Sequence, residues 1–245
     1  MTNELPFHIE GDKSKPALLL LHDLLGCNTT WQAVKPALLE HYQLVFVELW
    51  GHGAGVLPEQ IGAFSSSGYI EEFEIIRHII GVPRWSVCGL GYGGGLAMRY
   101  AFNKPAIVEK LTLVDVGLFF DPKLDDKKHL MLHELRGSVS MEGLKQHPSN
   151  FVLDNDVLKQ RLVRYANEVS KTSMLGAFSY YDDLSLFGSH YRFQMPVTNL
   201  CANSQVMANR HLATLAPKLS LQTLDVTEAV PLPLAEPEWF VEQLV

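Results

Sequence analysis

Apolar residues in this chain fall into short unbroken runs, divided by turns rich in glycine and proline. Leu5 to Glu10 alternates apolar and polar positions and predicts a first strand. Residues 16–22, Pro-Ala-Leu-Leu-Leu-Leu-His, are apolar almost throughout, the pattern of a strand covered on both faces of a parallel sheet. His41 to Leu49, Trp85 to Cys88 and Val108 to Val116 repeat that pattern. Helical signals fill the gaps. Thr29 or Thr30 caps a helix through Leu39, a helix opens at Ser65 to Ser67 and stops at Ile80 before Gly81 and Pro83, and another runs from Gly93 to Asn103 before Pro105. Strand and helix therefore alternate four times, which predicts an α/β fold with a mostly parallel, doubly wound sheet flanked by helices.

Past Val116 the rhythm breaks. Residues 118–192 carry no comparable strand signal, while Asp121 to Leu135, Met141 to Gln146 and Val157 to Ser170 read as helices and residues 180–183 as a loop. The prediction is a helical lid over 118–192, inserted into a core domain built from 1–117 and 193–245. Met195 to Cys201 resumes the sheet, Ala208 to Ala216 reads as a helix, and Leu219 to Leu224 is the last strand. Glu236 or Pro237 starts a terminal helix to Val245, and residues 56–64 read as irregular.

Composition narrows the function classes. The 245 residues suffice for one large α/β domain with a sizeable core. A net charge of −7 without any basic cluster speaks against nucleic acid as the main partner. The longest apolar run, Ala17 to Leu21, is too short to span a membrane. The start, Met1-Thr2-Asn3-Glu4, has no secretory character, so a cytoplasmic protein is expected. Cys27, Cys88 and Cys201 are few and widely spaced, as in a reducing compartment, and no Cys/His spacing suggests a metal. Neither metal nor cofactor is expected.

The chemistry concentrates in one stretch, Cys88-Gly89-Leu90-Gly91-Tyr92-Gly93-Gly94, where a strand enters a tight turn that opens a helix. Three further stretches accompany it: His22-Asp23-Leu24-Leu25-Gly26, Glu48-Leu49-Trp50-Gly51-His52-Gly53-Ala54-Gly55, and Leu232-Pro233-Leu234-Ala235-Glu236-Pro237-Glu238-Trp239-Phe240. In this order, and with a lid between the third and fourth, they resemble the α/β-hydrolase superfamily, especially its small lid-bearing esterases, thioesterases and lactonases. The resemblance covers nearly the whole chain. It implies an oxyanion-type loop at His22 to Gly26 and a nucleophile elbow, G-x-S-x-G, at Gly89 to Gly93. It also implies that Asp23, Leu24 and Tyr92 line the pocket, the Tyr92 N–H serving as an oxyanion donor.

The triad that the resemblance implies is substituted at every position. Gly91 stands for the serine, Ser204 or Gln205 for the acid, and Val230 or Pro231 for the histidine. The last histidine anywhere is His211, before the final strand. A nucleophile needs an atom to attack with, and its base must take and return a proton, so these substitutions predict the loss of Ser-His-Asp chemistry. The leading expectation is a pseudohydrolase that keeps a pocket. With the serine gone, a roomier cleft is expected beneath a lid carrying Leu118, Phe119, Phe120, Met131, Leu132, Met174, Leu175 and Phe178, for a small apolar or acyl ligand or a partner protein.

Two other readings follow from the same residues. An enzyme with non-serine chemistry, a lyase, cyclase, isomerase or atypical ester or thioester hydrolase, would use His22, Asp23, His52 or Tyr92. The commoner role of such loop histidines is structural. Asp23 replaces a loop glycine; it reads first as surface loop charge, though it would repel an oxyanion or act as a displaced acid. The Tyr92 ring would fill space above Gly91, and Glu48 would hold the Trp50 to Gly55 loop. The third reading takes Gly89-x-Gly91-x-x-Gly94, with Asp115 at the end of the next strand, as a dinucleotide loop. Its position in the third strand–helix unit speaks against it.

Overall fold

A computed structural model describes residues 4–53, 55–126, 129, 169–202, 210–224 and 231–245. Seven strands form one sheet: β1 Phe7–Glu10, β2 Ala17–Leu21, β3 Gln43–Val47, β4 Trp85–Leu90, β5 Val108–Val114, β6 Val197–Ala202 and β7 Leu219–Leu224. Their spatial order is β1-β3-β2-β4-β5-β6-β7. β1 pairs antiparallel with β3, and every other pairing is parallel. Among the described residues the helices are α1 Lys35–Leu39, α2 Ser66–Ile80, α3 Gly91–Asn103, α4 Lys171–Ser179, α5 Arg210–Leu215, α6 Leu232–Ala235 and α7 Pro237–Leu244.

The apolar runs do what their pattern requires. Along β2, Leu19 and Leu21 join the core beneath α2, α3 and α4, while Leu18 and Leu20 join the core beneath α1 and α7. This period of two places a strand between two layers, and burying each such leucine is worth about 1.5–3 kcal/mol. On the α1 side Trp31, Val34 and Leu38 meet Phe240 and Leu244 of α7. On the other side Phe73 and Ile76 of α2 meet Met98 and Tyr100 of α3. The α3 helix lies close against the sheet because Gly93 has no Cβ; one there would lie 2.4 Å from the His22 carbonyl oxygen. Among the described residues no helix is long and apolar enough to cross a membrane.

Several boundaries differ from expectation. The helix expected up to Leu39 is split into a 3-10 turn, Asn28–Trp31, and α1, because Pro36 stands in the first turn of α1 and cannot continue a hydrogen-bonded helix. Helix α2 behaves as expected: Ser65 accepts the Gly68 N–H at 3.1 Å, and Gly81 ends it with φ of 74°. Helix α3 starts at Gly91 itself, two residues before the expected Gly93. A 3-10 turn, Ile61–Phe64, interrupts the stretch expected to be irregular.

In the 118–192 segment, 3-10 turns lie at Gly117–Phe120 and Tyr181–Leu184. The expected helix ending at Ser170 is corrected at its C-terminal end, because Ser170 is instead an N-cap. Its side chain accepts the Ser173 N–H at 3.0 Å and starts α4. Most of the three expected lid helices lies outside the described residues.

Candidate functional site

The site lies at the carboxyl ends of β2, β3 and β4, where three loops converge on the start of α3. Gly91 turns the chain from β4 into α3 with φ of 47°, a left-handed conformation that favours glycine. The next N–H, that of Tyr92, points across to the loop after β2. There it donates to Asp23 Oδ1 at 2.8 Å, and the Leu24 N–H donates to the same oxygen at 2.7 Å. A Cβ at Gly91 would lie 2.2 Å from Asp23 Oδ1 and 2.8 Å from Oδ2. The Asp23 carboxylate thus takes the room that a side chain at the turn would need.

This corrects two expectations. Asp23 is not simple surface loop charge; it is half-buried and faces the apex. The missing side chain at Gly91 therefore leaves no roomier cleft at that point, since the carboxylate takes up the space. The sequence signal for this contact is the pairing of an aspartate in the first loop with a glycine at the turn.

The two histidines are spent on the backbone. His22, at the end of β2, donates from Nδ1 to the Asp23 carbonyl at 2.8 Å and accepts the Leu49 N–H on Nε2 at 3.1 Å. Only the neutral ring with its proton on Nδ1 makes both bonds. Burial, and after it the neighbouring His52, hold its pKa down at about 3. His52 places Nδ1 2.9 Å from the Trp50 carbonyl and Nε2 2.6 Å from the Leu24 carbonyl. Burial lowers its pKa, against the pull of the carbonyls and of Asp23. The rings lie 5.3 Å apart. Together they tie the exits of β2 and β3 to each other, which is structural work.

Tyr92 contributes its N–H to the apex, whereas its ring turns away. The ring stacks on Tyr181 at 5.7 Å and meets the edge of Tyr69 at 6.2 Å. This corrects the expectation that it fills the space above Gly91. Burial pushes its phenol pKa up, so the group stays protonated. Glu48 reaches further than its own loop: Oε1 accepts the Asn28 N–H at 2.6 Å, joining the segment after β2 to the end of β3.

Cys88 and Cys201 are buried and form no disulfide, and burial raises the Cys88 pKa. Pro231 caps α6, its carbonyl accepting the Leu234 and Ala235 N–H groups at 2.8 and 3.0 Å, and it offers nothing that transfers a proton. Ser204, Gln205 and Val230 lie outside the described residues.

The described residues of the 118–192 segment pack down on the core. Phe119, Phe120, Met174 and Phe178 are buried, with Leu175 partly so, and Arg99 of α3 donates to the carbonyls of Asp183 and Ser185. Leu118, Met131 and Leu132 have no described side chain. A cavity of about 440 Å³ lies at the N-terminal end of α2, between Trp50, Glu59, Ser65 and Glu72, and one of about 410 Å³ lies near Arg84 and Pro196. Neither borders Gly91, Asp23 or Tyr92.

The sheet order, the turn at Gly91 and the loops around it define an α/β-hydrolase fold. A hydrolase from Pseudomonas aeruginosa superposes with a TM-score of 0.83, covering 98% of this chain and 92% of its own at 18% identity. No protein-family model matches the chain. An uncharacterised protein of Mycobacterium tuberculosis is 32% identical over 111 residues, 45% of this chain and 31% of that protein. The pimeloyl-(acyl-carrier protein) methyl ester esterase of Nitrosospira multiformis is 32% identical over 126 residues, 50% of this chain and 46% of the esterase. The alignments span less than half of either relative's length.

Proposed function

We propose that this protein is a pseudohydrolase: a hydrolase-fold binding protein in which Ser-His-Asp chemistry has been given up. The observation that carries the reading is the Asp23 carboxylate seated on the Tyr92 and Leu24 N–H groups, in the room a nucleophile at residue 91 would require. Gly91 has no atom with which to attack a carbonyl, and an oxyanion approaching those donors meets a negative charge. His22 bonds the backbone through both ring nitrogens, and both nitrogens of the buried His52 face backbone carbonyls, to one of which the neutral ring donates, so neither presents an open ring nitrogen as the missing base. What the protein binds is a small apolar or acyl ligand or a partner protein. The acyl reading draws on the likeness to the Nitrosospira multiformis esterase. The test is a panel of p-nitrophenyl esters together with a fluorophosphonate probe. No turnover above buffer and no labelled protein are expected; saturable turnover through a labelled residue overturns the proposal.

One observation favours a second reading, an enzyme of non-serine chemistry: a half-buried carboxylate, Asp23, stands at the apex and has the character of a general acid or base. In that case an Asp23→Asn variant loses a turnover that wild type has. The dinucleotide reading is weaker, because the same carboxylate at the start of α3 repels a pyrophosphate. Addition of NAD or NADP is expected to leave the melting temperature unchanged.

A further inference from the structure

The cavity of about 440 Å³ at the start of α2 lies away from the apex, and its volume falls in the range that holds a small organic molecule. Glu59, Glu71 and Glu72 line it, and among the described lining residues there is no lysine, arginine or histidine to pair with them. Glu71 and Glu72 are the sixth and seventh residues of α2, beyond the first turn in which a helix dipole favours acidic groups. Burial raises the Glu72 pKa, and the charges of Glu4 and Glu71 raise it further, against the Leu5 N–H that Glu72 Oε2 accepts at 3.0 Å. A cation in the cavity relieves that repulsion.

Carboxylates alone make a solvated face, and Trp50 sets this cavity apart. Trp50 lines it and is 1% exposed, and its indole N–H has no acceptor among the described residues. A buried N–H left without a bond costs free energy, and an oxygen of a molecule in the cavity supplies that bond. A bare alkylammonium ion offers the indole no acceptor, and a neutral sugar leaves the negative charge uncompensated. We propose that the cavity binds a hydroxylated amine of amino-sugar size. Its ammonium group lies among Glu59, Glu71 and Glu72 in charge-assisted hydrogen bonds, and one of its hydroxyl oxygens accepts the Trp50 N–H. The cavity does not border Asp23 or Gly91, so the inference is independent of the pseudohydrolase reading.

The experiment titrates glucosamine into the full chain just below neutral pH, where its amine is protonated. The Trp50 indole N–H resonance is followed by NMR and assigned with Trp50→Phe. A saturable shift is expected. N-acetylglucosamine, which has hydroxyls without the charge, and cadaverine, which has the charge without a hydroxyl, are each expected to bind at least about tenfold more weakly. Glu59 and Glu71 are exposed, so a variant carrying Glu59→Gln and Glu71→Gln is expected to fold and to bind glucosamine about fivefold more weakly.

Trp50→Phe keeps an aromatic ring and removes the N–H; it is expected to lose affinity to a similar extent, read from the Glu71 amide. If Trp50→Phe does not fold, the cadaverine comparison carries the part of the indole and the shifted resonance is assigned by triple-resonance spectra. No saturable shift with glucosamine overturns the proposal, as does equal binding of N-acetylglucosamine or cadaverine, or unchanged affinity in the double variant. None of these outcomes bears on ester turnover, and turnover by wild type leaves the binding result untouched.

Discussion

The contact between Asp23 and the Gly91 turn can be weighed by a double-mutant cycle. Gly91→Ala adds a single Cβ, which would lie 2.2 Å from Asp23 Oδ1, far inside contact distance. Two costs follow. An alanine at φ of 47° is in the left-handed region, worth about 1–2 kcal/mol. The carboxylate must also move, giving up two charge-assisted bonds of 2.7 and 2.8 Å. Such bonds are worth about 1.5–3 kcal/mol each where buried, and Asp23 is only half-buried, so water recovers part and about 1–3 kcal/mol in all is lost.

Gly91→Ala should then destabilise by about 2–5 kcal/mol, adding the two costs. Asp23→Ala alone should cost the second part only. In the double variant the conformational cost remains and the clash is gone, so the two effects overlap. The coupling energy should be about 1–3 kcal/mol, in the sense that the double variant is more stable than the sum predicts. Urea titrations of the four proteins, fitted as two-state transitions, measure it. Additivity within about 0.5 kcal/mol would refute the placement of Asp23, because distant and independent sites behave that way.

Three further outcomes are expected. The His22 pKa is lowered from 6.5 to about 3, so between those values the unfolded state binds a proton that the folded state refuses. Stability should therefore be full above pH 6.5 and fall on acidification, by up to about 1.4 kcal/mol per pH unit, and His22→Asn should flatten that slope in urea titrations at stepped pH. His52→Phe should destabilise by about 1–3 kcal/mol, because the buried carbonyl to which the neutral ring donates, that of Trp50 or Leu24, loses its donor; an unchanged midpoint in urea titrations would refute this structural role. Tyr100→Phe should cost a similar amount, about 1–3 kcal/mol, by breaking the chain in which the Trp85 indole N–H donates to the Tyr100 hydroxyl at 3.1 Å and that hydroxyl to Glu74, read from the thermal midpoint.

The architecture was legible because burial on two faces leaves a direct mark. A strand such as Ala17–Leu21 has to be apolar at every position, and Ser65 with Gly81 marks both ends of α2. Where expectation failed, the deciding contact lay far away in sequence or the signal was ambiguous. Ser170 reads equally as the end of one helix or the cap of the next, and only the Ser173 N–H decides. Composition gives no hint that the imidazole of His22 spans the exits of two strands, from the Asp23 carbonyl to the Leu49 N–H.

The site was legible residue by residue but not as a pair. A glycine at the turn, seen alone, reads as a lost nucleophile and a void. An aspartate in the first loop, seen alone, reads as surface charge. Only their contact in space, between residues 23 and 91, shows that one residue's absence of a side chain is the other's room. This bears on how the site could change. Serine at residue 91 while Asp23 remains meets the carboxylate, and a small residue at 23 while Gly91 remains leaves two N–H donors facing a space with no group to attack. Placing a serine elbow here therefore requires both changes together, and even then the imidazoles of His22 and His52 stay against the backbone. The contact of Asp23 with the Gly91 turn is thus an interlock, which no single substitution removes.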